Sequence, residues 1–185
     1  CDLAGGAPRV SAAVVPEVAE ARDHVRGSSG RTLLIFGDYE CPYTRAAYRS
    51  VQFLEGDGVP FRFVFRHFPL VEIHPHALAA AEASEGAAAQ ERFWPMHDLL
   101  FRRQQALERA DLERYADEVG LEMERFRQEL EAHLHLDRIQ ADRSSALASG
   151  ATGTPTIFVD GLPYLGSYER AELRRALSTN GEENE

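Results

Sequence analysis

A short apolar run, Thr32-Leu33-Leu34-Ile35-Phe36, is rich in strand formers, and the residues after Pro42 carry the spacing of an amphipathic helix to about Leu54. Between them lies Gly37-Asp38-Tyr39-Glu40-Cys41-Pro42-Tyr43-Thr44, which puts a lone cysteine at the N-terminal cap of that helix. The unpaired N–H groups and the positive end of the helix dipole favour a thiolate there, and the thiolate is the form that attacks disulfides. Gly56-Asp57-Gly58 closes the helix, and Phe61-Arg62-Phe63-Val64-Phe65-Arg66 alternates apolar and basic residues as a second strand. Strand, helix and strand in that order make two parallel neighbours in a sheet that helices must cover, so the expected class is α/β.

With 185 residues and 44% hydrophobic content the chain can bury the core of one domain. A net charge of -10 and the lack of a basic stripe argue against nucleic acid or an anionic membrane surface as a partner. No apolar stretch approaches the roughly 18 to 20 residues of a transmembrane helix, so no direct span is expected in this chain. Two cysteines, Cys1 and Cys41, are too few for a disulfide scaffold, and the fold must rest on its core. Position 1 is Cys rather than Met, which reads as a processed or trimmed product. An arbitrary cut in a longer chain is the favoured reading, ahead of a lipid-modified cysteine. A cytoplasmic setting is favoured with it, and an extracytoplasmic lipid-anchored form stays open.

Residues 1–22, rich in Ala, Gly, Val and Pro without a sustained period, are expected to form a flexible arm. A single domain follows over 23–177, with turn formers from Asp23 to Gly30 leading into the first strand. From about 75 to 148 the pattern is almost continuous helix, beginning with the alanine-rich Ala77 to Gln90. Strand signal returns in Thr156-Ile157-Phe158-Val159, turns at Asp160-Gly161 and continues through Pro163-Tyr164-Leu165. A last helix runs from Tyr168 to Leu177, and the acidic residues 178–185 are expected to be disordered.

Three motifs carry a resemblance. Asp38-Tyr39-Glu40-Cys41-Pro42-Tyr43 is similar to the active-site approach of DsbA-like proteins. Arg66-His67-Phe68-Pro69-Leu70 with His74-Pro75-His76-Ala77 matches their junction into a helical insertion. Gly153-Thr154-Pro155-Thr156-Ile157-Phe158-Val159-Asp160-Gly161 matches the loop whose proline is cis in that family. From about Asp23 to Leu177 the chain thus resembles a thioredoxin fold with a helical insertion between the second strand and the cis-proline loop. Among DsbA-like proteins it is most similar to thioredoxin-like domains found alone or fused to NhaA-type sodium/proton antiporters. The resemblance implies thiol-disulfide exchange at Cys41, a cis bond before Pro155, and a docking edge at Thr154 that pairs with a substrate backbone as an added strand. Pro42 and Tyr43 would flank the bound substrate.

The chain departs from the family at Thr44, where dithiol members carry a second cysteine. Without it the motif cannot resolve its own mixed disulfide. Cys41 is then expected to act as a monothiol, with protein thiols or disulfides or with a low-molecular-weight thiol such as glutathione. Thr44 is suited to donate a hydrogen bond to the thiolate, or else merely satisfies the first helical turn. The rival class is a non-catalytic or redox-sensing accessory domain, the C-terminal part of an antiporter. A glutathione-dependent isomerase or transferase on the same scaffold is a third reading, against which the retained cysteine counts.

Other candidates carry less. Cys1 could resolve the mixed disulfide only if residues 2–20 folded back over the site, and nothing in them specifies that. His74 with His76, and His133 with His135, are spaced like metal ligands, but a helix would turn the second pair apart by about 200 degrees, and capping or packing is the default. Asp38 and Glu40 would oppose a thiolate, with Arg45 as an offset. Phe93, Trp94, Met96 and Phe101 read as core of the insertion. Neither a metal nor a cofactor is expected.

Overall fold

Both faces of the central strands are apolar, and their alternate residues build two separate cores. The computed structural model describes residues 15–178. These form a sheet in the order β1 (His24–Arg26), β3 (Phe61–His67), β2 (Arg31–Gly37), β4 (Thr156–Val159), β5 (Leu162–Pro163). β2 and β3 run parallel, joined by α1 (Pro42–Gly56), while β1, β4 and β5 pair antiparallel with their neighbours. Leu33, Ile35, Phe63 and Phe65 face Ala47, Tyr48, Val51 and Leu54 of α1, together with Leu173 and Leu177 of α7 (Arg170–Ser178). Leu34, Phe36, Val64 and Phe158 form the opposite core with Phe68, Ala146 and Ala151. This is the thioredoxin fold that the element order implied.

The insertion comprises α2 (Ala77–Ala88), α3 (Phe93–Arg102), α4 (Arg109–Glu118), α5 (Met123–Glu131) and α6 (Leu136–Ala148). The alanines of α2 have a packing reason: Ala80, Ala83 and Ala87 are fully buried, so this helix is enclosed by its neighbours instead of lying on the surface. A side chain at Gly86 would come within 3.2 Å of the Phe126 ring, which fixes how closely α2 and α5 approach. Phe93, Met96 and Phe101 are buried as expected, with Trp94 packed against them.

The hairpin at Asp160-Gly161 forms with both residues at positive φ, 49° and 79°, as a two-residue turn of this kind requires. β5 ends at Pro163, short of the expected Leu165, and Leu165 is almost fully exposed. α7 begins at Arg170 instead of Tyr168.

Two local expectations are corrected. Asp23 to Gly30, read as turn, contains β1, whose residues gain strand geometry from pairing with Phe63, Val64 and Phe65. His133 and His135 lie in the turn between α5 and α6, not on one helix; His133 faces Glu82 and His135 faces Glu129. Of the expected arm, residues 1–14 lie outside the described residues, as do 179–185 of the tail. Residues 15–22 are held against the domain: Pro16 is buried, Val18 packs on the Leu34 core, and the Glu17 carbonyl accepts from Arg66. No helix among the described residues is long and apolar enough to cross a membrane.

Candidate active site

β2 ends at Gly37, where a side chain would strike the Phe65 ring and the Thr44 methyl group, each 2.6 Å from its Cβ. The chain then turns through Asp38 to Glu40 into α1, and Cys41 occupies its N-cap with extended backbone, φ -75° and ψ 120°. The Cys41 N–H donates to the Asp38 carbonyl at 3.2 Å, and its carbonyl accepts the Arg45 N–H at 3.1 Å. The thiol donates to the Thr154 carbonyl at 3.3 Å across 113 residues of sequence. The Thr154–Pro155 peptide bond is cis. Thr154 also has a buried hydroxyl with no hydrogen-bond partner among the described residues. Cys41 is 3% exposed, whereas Tyr43 beside it is 63% exposed and Pro42 is also at the surface. Thr44 is fully buried; its hydroxyl accepts the Asp38 N–H at 3.4 Å, which ties the first turn of α1 to the end of β2.

Asp38 and Glu40 do not simply confront the sulfur. The Asp38 carboxylate is buried and accepts the N–H groups of Glu40 at 2.7 Å and Leu70 at 2.8 Å, while His74 Nδ1 lies 2.8 Å away. Glu40 accepts the His76 N–H at 2.7 Å. The His74 ring and the His76 backbone N–H therefore serve the loop that carries Cys41, so His74 is engaged there as a hydrogen-bond partner of Asp38. Gln104, buried in the turn after α3, donates to the carbonyls of Tyr39 at 2.7 Å and Cys41 at 2.9 Å. Nothing in the sequence signalled that residue, because its partners are backbone groups more than sixty residues away.

Beneath the loop, Tyr39 meets His97 Nδ1 at 2.8 Å, and His97 is enclosed by Tyr48, Phe65, Phe93 and Phe101. Burial pushes the His97 imidazole well below its ordinary range, and the nearby Arg26 charge adds to this. Below about pH 6.5 the unfolded chain takes up a proton here that the folded chain refuses, so stability falls as pH falls. From pH 6.5 to 5.0 the expected loss is about 1 to 2 kcal/mol in denaturant titrations. The His97→Phe variant is less stable throughout and should lose this slope; an unchanged slope would assign it elsewhere.

Among the described residues, His24, His67 and Glu85 bring three possible metal-ligand atoms within 4.8 Å of one another. Each histidine Nε2 lies 2.7 Å from Glu85 Oε1. That is hydrogen-bond spacing, shorter than the roughly 3.3 Å between two ligands held about 2.0 Å from a tetrahedral zinc. Arg138 Nε, 3.8 Å from the same oxygen, also disfavours a cation. Burial raises the Glu85 carboxyl, but the hydrogen bonds and charges of His24 and His67 outweigh it and hold the group far below the usual carboxylate range. The cluster cross-links β1, β3 and α2.

A parallel β2–α1–β3 unit, a helical insertion, and a capping cysteine under a cis-proline loop define a thioredoxin-fold protein of the DsbA-like type. Residues 21–179 match the family described as Thioredoxin, and the chain belongs to that family. It is 42% identical over 177 residues to the Na(+)/H(+) antiporter NhaA 3 of Salinispora tropica, and 42% identical over 168 residues to the NhaA antiporter of Herminiimonas arsenicoxydans. These matches cover 95% and 89% of this chain but 27% of each antiporter, so the chain spans about a quarter of the length of these relatives. A thioredoxin-like oxidoreductase from Silicibacter pomeroyi superposes with a TM-score of 0.75 at 28% identity, covering 85% of this chain and 91% of that one. Oxidised BdbD from Bacillus subtilis superposes with a TM-score of 0.76 at 20% identity, covering 90% and 97%.

Proposed function

We propose that the chain carries out thiol-disulfide exchange as a monothiol through Cys41. The observation that supports this reading most is the Cys41 thiol seated against the Thr154 carbonyl, with threonine where a second sulfur would stand. In the first step the Cys41 thiolate, its proton lost to solvent, attacks a disulfide RS–SR′; the Cys41–SR bond forms as the S–S bond breaks, and R′S⁻ leaves. An external thiolate then attacks the mixed disulfide and releases Cys41. Once Cys41 has lost its proton, the Thr154 carbonyl is free to accept an N–H from an extended substrate. Thr44 accepts the Asp38 N–H and, with no hydrogen bond from its hydroxyl to the Cys41 sulfur among the described residues, holds the first turn of α1 against the end of β2. Pro42 and Tyr43 supply the exposed wall on which the substrate rests.

Exposure to oxidised glutathione followed by peptide mapping tests the reading. An adduct is expected at Cys41, released by reduced glutathione and absent in Cys41→Ser; mapping separates it from any adduct at Cys1. An unmodified Cys41 would sink the proposal.

The similarity to NhaA antiporters favours a second reading, in which this exchange site is a redox domain carried beside a sodium/proton antiporter. Membrane-spanning segments encoded directly upstream of Cys1 would support it, and their absence from the open reading frame would remove it.

A further inference from the structure

On a chain with net charge -10, most of the described arginines are neutralised locally, and three of the five exceptions gather in one place. Among the described residues, Arg22, Arg45, Arg49, Arg92 and Arg102 make no ion pair, and three of these five line a single pocket of about 150 Å³ between α1 and α3. Arg45 and Arg49 are four residues apart on α1 and so share one of its faces, and Arg102 closes the last turn of α3 opposite them. The one carboxylate in the lining, Asp98, is already engaged by the Tyr48 hydroxyl and by Arg26. Gln52 adds an uncharged amide. Three arginines without an ion pair therefore line one small concavity, against a single carboxylate that Arg26 and Tyr48 already hold through Oδ1.

We infer that this pocket is a binding site for a small anion, the carboxylate or phosphate group of a low-molecular-weight ligand. Guanidinium groups make paired, charge-assisted hydrogen bonds to both kinds of anion, and three of them around a shallow cavity suit a doubly charged group. The volume admits such a group with a few attached atoms and excludes a folded partner. Arg45 lies one helical turn beyond Cys41 and donates its N–H to the Cys41 carbonyl, so the bound anion would sit beside the thiol site. The inference does not depend on exchange chemistry at Cys41.

Calorimetric or NMR titration of the whole chain with inorganic phosphate and with succinate, at low ionic strength, tests it. Saturable binding is expected, weakening by about tenfold or more in the Arg49→Gln/Arg102→Gln double variant and unchanged in the Arg22→Gln/Arg92→Gln control. Tighter phosphate binding would assign the natural group as a phosphate, and tighter succinate binding a carboxylate. No saturable binding, equal affinity in the double variant, or equal loss in the control would each overturn the site. Because no step involves the thiol, the same titration in Cys41→Ser should give the wild-type result even if Cys41 proves unreactive.

Discussion

Asp23→Ala is expected to lower the unfolding free energy by about 3 to 5 kcal/mol, because it strands the Arg66 guanidinium in the protein interior. The Asp23 and Arg66 side chains are 0% and 1% exposed and form a two-bond fork at 2.7 and 2.8 Å. Arg66 also donates to Ser145 of α6 and to the Glu17 carbonyl, so one guanidinium ties the N-terminal segment and the insertion to β3. Burial alone would raise the Asp23 carboxyl; the Arg66 contact and the Ala19 N–H outweigh it and hold the group below its ordinary value. Guanidinium titrations of Asp23→Ala, Arg66→Met and the Asp23→Leu/Arg66→Met double variant separate the terms. The double variant should recover more than half of either single loss, since it leaves no unpaired charge and orphans only the Glu17 carbonyl, Ala19 N–H and Ser145 hydroxyl. Single losses below about 1 kcal/mol would show that water or a rearranged partner reaches the charge.

This pair also marks where sequence reading stops. The Thr32 to Phe36 strand, the α1 helix and the Asp160-Gly161 hairpin were legible because their signals are local: apolar period, a capping position, and residues that tolerate positive φ. β1 was not, because His24-Val25-Arg26 carries no apolar alternation of its own and becomes a strand only by pairing with β3. Asp23, Arg66, Glu85 and Gln104 are polar residues whose burial depends on partners far along the chain, and no window of sequence contains both halves of such a contact.

The site divides the same way. Cys41 at a helix cap and Thr154-Pro155 in its loop came from recognisable motifs, and the fold brings them together at 3.3 Å. The supports beneath them did not. Asp38 and Glu40 looked like charges set against the thiol, whereas they accept the backbone N–H groups that shape the loop. Residue type gave the charge, but only the fold showed which donors it serves.

Asp38 therefore makes a sharp test of how the loop is held. Its Oδ1 accepts the Glu40 N–H, and its Oδ2 accepts the Leu70 N–H with His74 on the same oxygen. Asp38→Ala leaves two partly buried backbone donors and a histidine without a partner, an expected cost of about 3 to 5 kcal/mol for hydrogen bonds to a charged acceptor. Asp38→Asn should cost nearly as much despite its matching shape, because either orientation of the amide turns an NH₂ group toward a backbone N–H. His74→Ala removes only one partly exposed contact and should cost about 1 kcal/mol. Denaturant titrations order the three; an Asp38→Asn variant close to the wild type would mean the carboxylate charge is not what the loop requires. The site should report the same loss. Cys41 is 3% exposed while the loop holds, so its alkylation by iodoacetamide in the folded protein should accelerate in Asp38→Asn and stay near the wild-type rate in His74→Ala. Destabilisation without faster alkylation would place the effect of Asp38 on the β3–α2 connection through Leu70, and not on the turn that presents the thiol.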